Sequence, residues 1–303
     1  RYATLRAAAL LRDQAMGRCG EHRCIGDAGE AYADVGSTAL AVLAFVEIAR
    51  TGIDPGYGLA VPELAAFLRA QQRADGEFMH VYDRASGHPL DVQLLYYSGE
   101  ATFALSRAHA LLGDARDLDA AARGLAHLVG PAWSFFGSRY YWGEEHWTCQ
   151  AMDDLWNRAP SQAALDFCLG WQAYGRKLMY AEGDTAFDAD GAYGFGPVVT
   201  PRLTPVGSRS EAGIATLDAA TRAHRTPEQL RALESQLRRS LAMLLRHELS
   251  PGKAYLFEDP GAVRGAMPGS EVDWQLRIDY AQHTGGALLR WLALRSARSS
   301  LPP

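Results

Sequence analysis

Alternation between two kinds of helical segment is the strongest constraint on this chain. Residues recur at helical period over 2–16, 35–51, 61–73, 99–112, 117–129, 145–157, 160–181, 209–224, 227–248 and 278–296. The second, fourth, sixth, eighth and tenth segments are apolar and rich in small residues. The third, fifth, seventh and ninth are amphipathic and carry more Arg, Glu and Gln. A helix that is apolar all round must be covered on every side, whereas an amphipathic one covers with one face. The alternation therefore predicts helical hairpins with an inner and an outer member, closed into a ring or drawn out as a solenoid. The inner segments begin at acidic residues, Asp34, Glu100, Glu145, Glu211 and Asp279, spaced 66, 45, 66 and 68 residues apart. Spacing this irregular suits a globular ring with loops of unequal length better than a strict repeat array. The expected fold is all-α, an α/α toroid (barrel) of five to six helical hairpins with its long loops on one rim. Residues 1–303 are expected to form a single domain.

Composition narrows the partners. A hydrophobic fraction of 48% supplies a sizeable core, and a formal net charge of -5 leaves no basic face for nucleic acid. No run of eighteen apolar residues is free of charge or Gly interruption, so no transmembrane helix is expected. Cys19 and Cys24 flank a polar, Gly-rich turn with His22, a spacing open to a local disulfide or to two free thiols. A disulfide would favour an extracytoplasmic home, and Arg1 in place of Met would fit either a trimmed chain or a processed product. Cys149 and Cys168 lie in apolar helical stretches and are expected to be core thiols.

Two stretches resemble known helical repeats. Gly36-Ser37-Thr38-Ala39-Leu40-Ala41 and residues 67–78 resemble the hairpins of the α/α-toroid superfamily, which includes class II terpene cyclases and protein prenyltransferase β subunits. The second stretch is similar to the Gln-rich turn that closes terpene cyclase repeats. Glu100 to Leu112 with Gly113-Asp114 resembles a helix of six-hairpin sugar-processing enzymes such as acylglucosamine epimerases and unsaturated glycuronyl hydrolases. The resemblance implies the toroid fold and either a sugar or an isoprenoid substrate. Asp188-Ala189-Asp190-Gly191 departs from the Asp-x-Asp-Asp acid motif of the cyclases. The zinc sets of prenyltransferases and lanthionine cyclases have no counterpart.

In a ring of hairpins the five acidic positions and the long connections 74–98, 182–208 and 249–277 would meet at one mouth, an acidic cleft with an aromatic rim. Paired carboxylates in unlike environments are the apparatus of glycosidic chemistry. The leading acid/base pair is Glu145 and Glu211, with Asp279 and Glu100 behind them. Asp279 and His283 stand four apart and share a helix face, so Asp279 can tune His283 as a general base. Tyr97, Trp142 and Tyr193 are candidate stacking surfaces for sugar rings. Arg209, Arg277, His146 and Asp34 are candidate polar contacts to substrate. Glu145, His146 and Cys149 do not share one helix face, so no metal site is expected, and no cofactor is required. His80 and Tyr82 fall in the first long loop and read as surface residues.

The expected function is processing of a carbohydrate or glycan by hydrolysis, elimination or epimerisation. One alternative is an enzyme on an isoprenoid or other apolar substrate, with Asp188 or Asp190 activated in a deep apolar cavity. Another is a helical scaffold that binds a cationic peptide through exposed, unpaired carboxylates.

Overall fold

The computed structural model describes residues 2–27, 29–130, 132, 140, 146–185, 188–194 and 200–299. Contacts divide the chain into two compact units, Arg1–Arg139 with Gln150–Ala164, and Tyr140–Cys149 with Leu165–Pro303.

In the first unit, helices α1 (Tyr2–Leu10), α2 (Val35–Arg50), α3 (Val61–Ala70), α4 (Tyr97–Leu112) and α5 (Ala115–Val129) are joined by short strands. Helix α2 packs on α4, and α4 on α5. Nine residues of α2 are buried, among them Val35, Ala39, Val42 and Phe45, as expected for an inner helix. Amphipathic α3 buries Leu64, Phe67 and Leu68 completely. Each contributes about 1.5–3 kcal/mol by leaving water. The ion pair of Arg69 with fully buried Asp117 ties α3 to α5. Helix α5 opens two residues before Asp117, capped by Asp114, whose carboxylate accepts from the Arg116 N–H at 2.9 Å.

The strands were the least visible elements in the sequence. Strands β1 (Met16–Cys19) and β2 (His22–Ile25) form a hairpin that turns at Gly20 (φ 62°), and the Cys19–Cys24 disulfide staples it. The first helix accordingly ends at Leu10, passes through a π-helical turn over Leu11–Ala15, and becomes extended at Met16. Strands β3 (Tyr32–Asp34), β4 (Val81–Asp83) and β5 (His88–Leu90) form an antiparallel sheet, so much of the connection 74–98 is an ordered hairpin. Strands of three or four residues are too short for alternation to stand out.

Helices α6 (His146–Leu155) and α7 (Gln162–Lys177) begin in one unit and end in the other. Ser161 caps α7, its Oγ accepting from the Ala164 N–H at 3.2 Å. The second unit adds α8 (Leu203–Arg222), α9 (Pro227–His247), the short α10 (Pro251–Ala254) and α11 (Pro260–Val263), and α12 (Ile278–Ser299). Thr226 and Gln229 form a capping box at α9, with Pro227 in the first turn. Helix α8 packs on both α9 and α12. Its Leu203, Val206 and Leu217 join Leu233, Leu237 and Leu244 of α9 in the core. The expectation of free core thiols fails at Cys149 and Cys168, which form a disulfide between α6 and α7. Folding brings their Cα atoms to 5.8 Å, a closeness that nineteen residues of separation do not reveal.

Candidate active site

Helix α8 starts six residues earlier than its sequence pattern suggested. Glu211 therefore does not open the helix. It lies in the third turn, 6% exposed, among residues that are nearly all buried. Neither a cap nor the helix dipole accounts for a carboxylate there. Its partner comes from α12, where His283 Nδ1 lies 2.8 Å from Glu211 Oε2. Glycines allow this approach. A Cβ on Gly286 would overlap Glu211 Oε1, and one on Gly207 would stand 3.0 Å from the His283 main chain.

His146, at the start of α6, completes the group. Its ring meets that of His283 edge-on, with centroids 4.9 Å apart and planes at 88°, and lies 4.6 Å from the Trp147 ring. All three side chains are buried, and one ligand-type atom of each lies within 4.8 Å of the others. Burial pushes the Glu211 carboxyl above its ordinary range, partly offset by the hydrogen bond and charge of His283 and by the charge of Arg290. A buried Glu–His pair of this kind holds a proton avidly. With Glu211 ionised, His283 donates its Nδ1–H and keeps Nε2 as a base.

Arg209, two residues before Glu211, turns to another side of α8. Its guanidinium lies 4.8 Å over the Tyr193 ring. The Tyr193 hydroxyl accepts from Gln236 Nε2 at 3.0 Å and meets Ser240 Oγ at 3.0 Å. Gln236 in turn donates to Gln172 and accepts from Arg176, both at 3.0 Å. Burial raises the Tyr193 phenol and lowers the Arg176 guanidinium. Asp279, expected to tune His283, instead accepts from Arg277 Nε at 2.9 Å on the exposed start of α12. Glu211, from a different helix, occupies the place the sequence reading assigned to Asp279. Asp188 and Asp190, the acids of the isoprenoid alternative, form ion pairs with Arg246 at 2.6 Å and Arg239 at 2.7 Å. Glu145 and Trp142 lie outside the described residues.

The first unit gathers Asp34, Tyr97 and Glu100. Asp34 is an N-cap, accepting from the Ser37 N–H and hydroxyl at 2.5 and 2.9 Å. Glu100 is buried in the first turn of α4. A Cβ on Gly36 would overlap both the Tyr97 ring and the Glu100 carboxylate. Burial, with the charges of Asp34 and Glu100, raises the Tyr97 phenol. Tyr96, just ahead, adopts a left-handed φ of 76°, a conformation that costs energy in a non-glycine residue. His80, expected at the surface, is 3% exposed. The Leu94 N–H donates to its Nδ1 at 2.7 Å, so Nε2 carries the proton and donates to Ser98 Oγ at 2.7 Å. Ser98 then donates to Glu77. The proton order is the reverse of a nucleophile triad, in which the imidazole accepts from the hydroxyl. Burial holds His80 neutral, its pKa lowered to about 4.

The chain has the all-α, α/α-toroid fold. A D-mannose isomerase matches with a TM-score of 0.71 and 12% identity, over 96% of this chain and 80% of that one. A sugar epimerase from a ruminal bacterium matches at 0.68 and 10%, over 98% and 81%. A cellobiose 2-epimerase from Bacillus thermoamylovorans matches at 0.63 and 11%, over 96% and 82%. No family model and no curated protein matches the chain by sequence.

Gly207 and Gly286, which let Glu211 and His283 meet, and the mutual arrangement of the two histidines are not marked by any motif in the sequence. The available signal was small residues within otherwise apolar helices, which marks close packing without naming the partner. Among the described residues no helix is long and apolar enough to cross a membrane.

Proposed function

We propose that this chain is a sugar epimerase or isomerase that moves a proton beside the carbonyl of a reducing sugar. The buried Glu211–His283 pair with His146 edge-on to it carries the reading. A base at His283 Nε2, oriented through Nδ1 by Glu211, takes the proton from the carbon next to the open-chain carbonyl. The electrons move into an enediolate. His146 supplies or receives the second proton, to the opposite face for an epimer or to the neighbouring carbon for a ketose. Each such proton transfer is worth roughly 10²–10⁴-fold. The solved structures of like fold named above, an isomerase and two epimerases, support the same substrate class.

Hydrolysis by a carboxylate pair has less support, because among the described residues the groups that meet Glu211 are imidazoles. The scaffold alternative required exposed carboxylates with ordinary pKa values, and Glu211 is buried and raised. The test is a panel of aldoses, ketoses and β-linked disaccharides, with products separated by chromatography. His283→Asn and Glu211→Gln should each lower kcat by about 10²-fold or more while the protein stays folded. A wild type that cleaves glycosidic bonds and leaves the reducing end unchanged would overturn the reading.

A further inference from the structure

We infer that His146, Glu211 and His283 also form a binding site for one divalent ion of the zinc class, and that this ion blocks the proton transfer. The inhibitory half rests on the proposed function, and the binding half stands alone. Two imidazoles and one carboxylate are a zinc donor set, and three protein ligands leave a position open on a tetrahedral ion. The three side chains come from α6, α8 and α12, are all buried, and have their ligand atoms within 4.8 Å of one another. Bonds of about 2.0–2.1 Å to a tetrahedral ion place ligand atoms roughly 3.4 Å apart. The 2.8 Å contact of His283 with Glu211 therefore opens by about half an ångström as the proton between them leaves, a small side-chain rotation. The site also has a reason to take a cation. The Glu211 carboxylate is only 6% exposed, and a buried carboxylate gains from a neighbouring positive charge. Imidazole donors favour zinc, cobalt and nickel over magnesium and calcium, which prefer all-oxygen sets.

The metal would replace the Nδ1 proton and the Glu211 hydrogen bond that orient the His283 base, and would tie up His146, the second proton carrier. Glu145, His146 and Cys149 share no single helix face, so spacing along the sequence predicts no metal. The set that assembles is drawn from three helices, which spacing within one motif does not display.

The experiment uses the full chain, stripped with EDTA and then equilibrated with Zn²⁺, Co²⁺ or Mg²⁺. Bound metal is measured after gel filtration, and the visible spectrum of the cobalt form reports its coordination. Wild type should retain one zinc per chain and no magnesium, and cobalt should give d–d bands of a nitrogen- and oxygen-ligated ion. His283→Gln, Glu211→Gln and His146→Gln, each verified as folded by circular dichroism, should each weaken zinc binding by at least tenfold. One equivalent of zinc should abolish sugar turnover, and EDTA should restore it. No retained zinc, or equal retention by all three variants, overturns the site. Turnover that persists with zinc bound, or that requires zinc, overturns the inhibitory role. Stoichiometric zinc binding with no turnover of any sugar by the EDTA-stripped protein would leave the site standing and defeat the functional reading instead.

Discussion

Glu211 opposes folding at neutral pH. Its folded pKa lies above the ordinary 4.5, so the native state binds this proton more tightly than the unfolded chain does. Stability from this group is full below about 4.5 and is lost as pH rises through the folded pKa. Glu211→Gln removes the burden while keeping the shape. The variant should therefore melt above wild type at pH 8, with the gap closing as pH falls toward 4.5, while its sugar turnover is lost. Denaturation across pH checks this, and a variant less stable than wild type at every pH would contradict it. Gly286→Ala tests position instead of charge. The new methyl group displaces the Glu211 carboxylate, and a shift of about 1 Å can cost about 10²-fold in kcat. Steady-state kinetics with an unchanged kcat would show that the close approach is not used. The sequence did single out Glu211 and His283, since acids and histidines in apolar helices are conspicuous. It joined His283 to Asp279 because four residues is the only distance a single helix displays. The true partner required knowing that α8 and α12 touch.

Among the elements, the hairpin formed by β4 and β5 and the following turn are held by a buried neutral imidazole. His80 is lowered to about 4 from 6.5, chiefly by burial. A depressed histidine stabilises the fold above 6.5, and that contribution fades as pH drops from 6.5 toward 4, where the unfolded chain alone takes up the proton. The span corresponds to about 3 kcal/mol. His80→Gln should flatten the acid limb of the stability curve between those values, and an unaltered limb would remove His80 from the account. The Cys149–Cys168 disulfide acts on another pair, pinning the start of α6 to α7 three residues after His146. Cys149→Ala with Cys168→Ala should lower stability by about 3 kcal/mol in urea denaturation, given a loop of this length. No loss would mean that packing alone holds α6. The ten helical segments were legible because each keeps helical periodicity over about two and a half turns or more. The short strands and the π-helical turn at Leu11–Ala15 lacked the length to declare themselves, and the early start of α8 was hidden by Pro205 and Gly207 in its first turns.

At the scale of the whole molecule, alternating inner and outer helices was sufficient to name the toroid. The pattern reports which faces must be covered, and few closed arrangements satisfy it. Chemistry is less legible than fold in such a pattern. A carboxylate count suggests glycosidic cleavage, whereas among the described residues Glu211 meets two imidazoles, the arrangement on which the proposed proton transfer rests. The reaction depends on which residue types converge, and convergence is a property of the fold. The central claim is that the Glu211–His283–His146 group exchanges a proton at the carbon beside a sugar carbonyl. Its most direct test is turnover of the responding sugar in D₂O, followed by NMR. Deuterium at C2 of an epimer product or at C1 of a ketose product, absent with His283→Asn, is the predicted result. Full conversion by wild type with the original hydrogen retained at C2 or moved intact to C1 would contradict it.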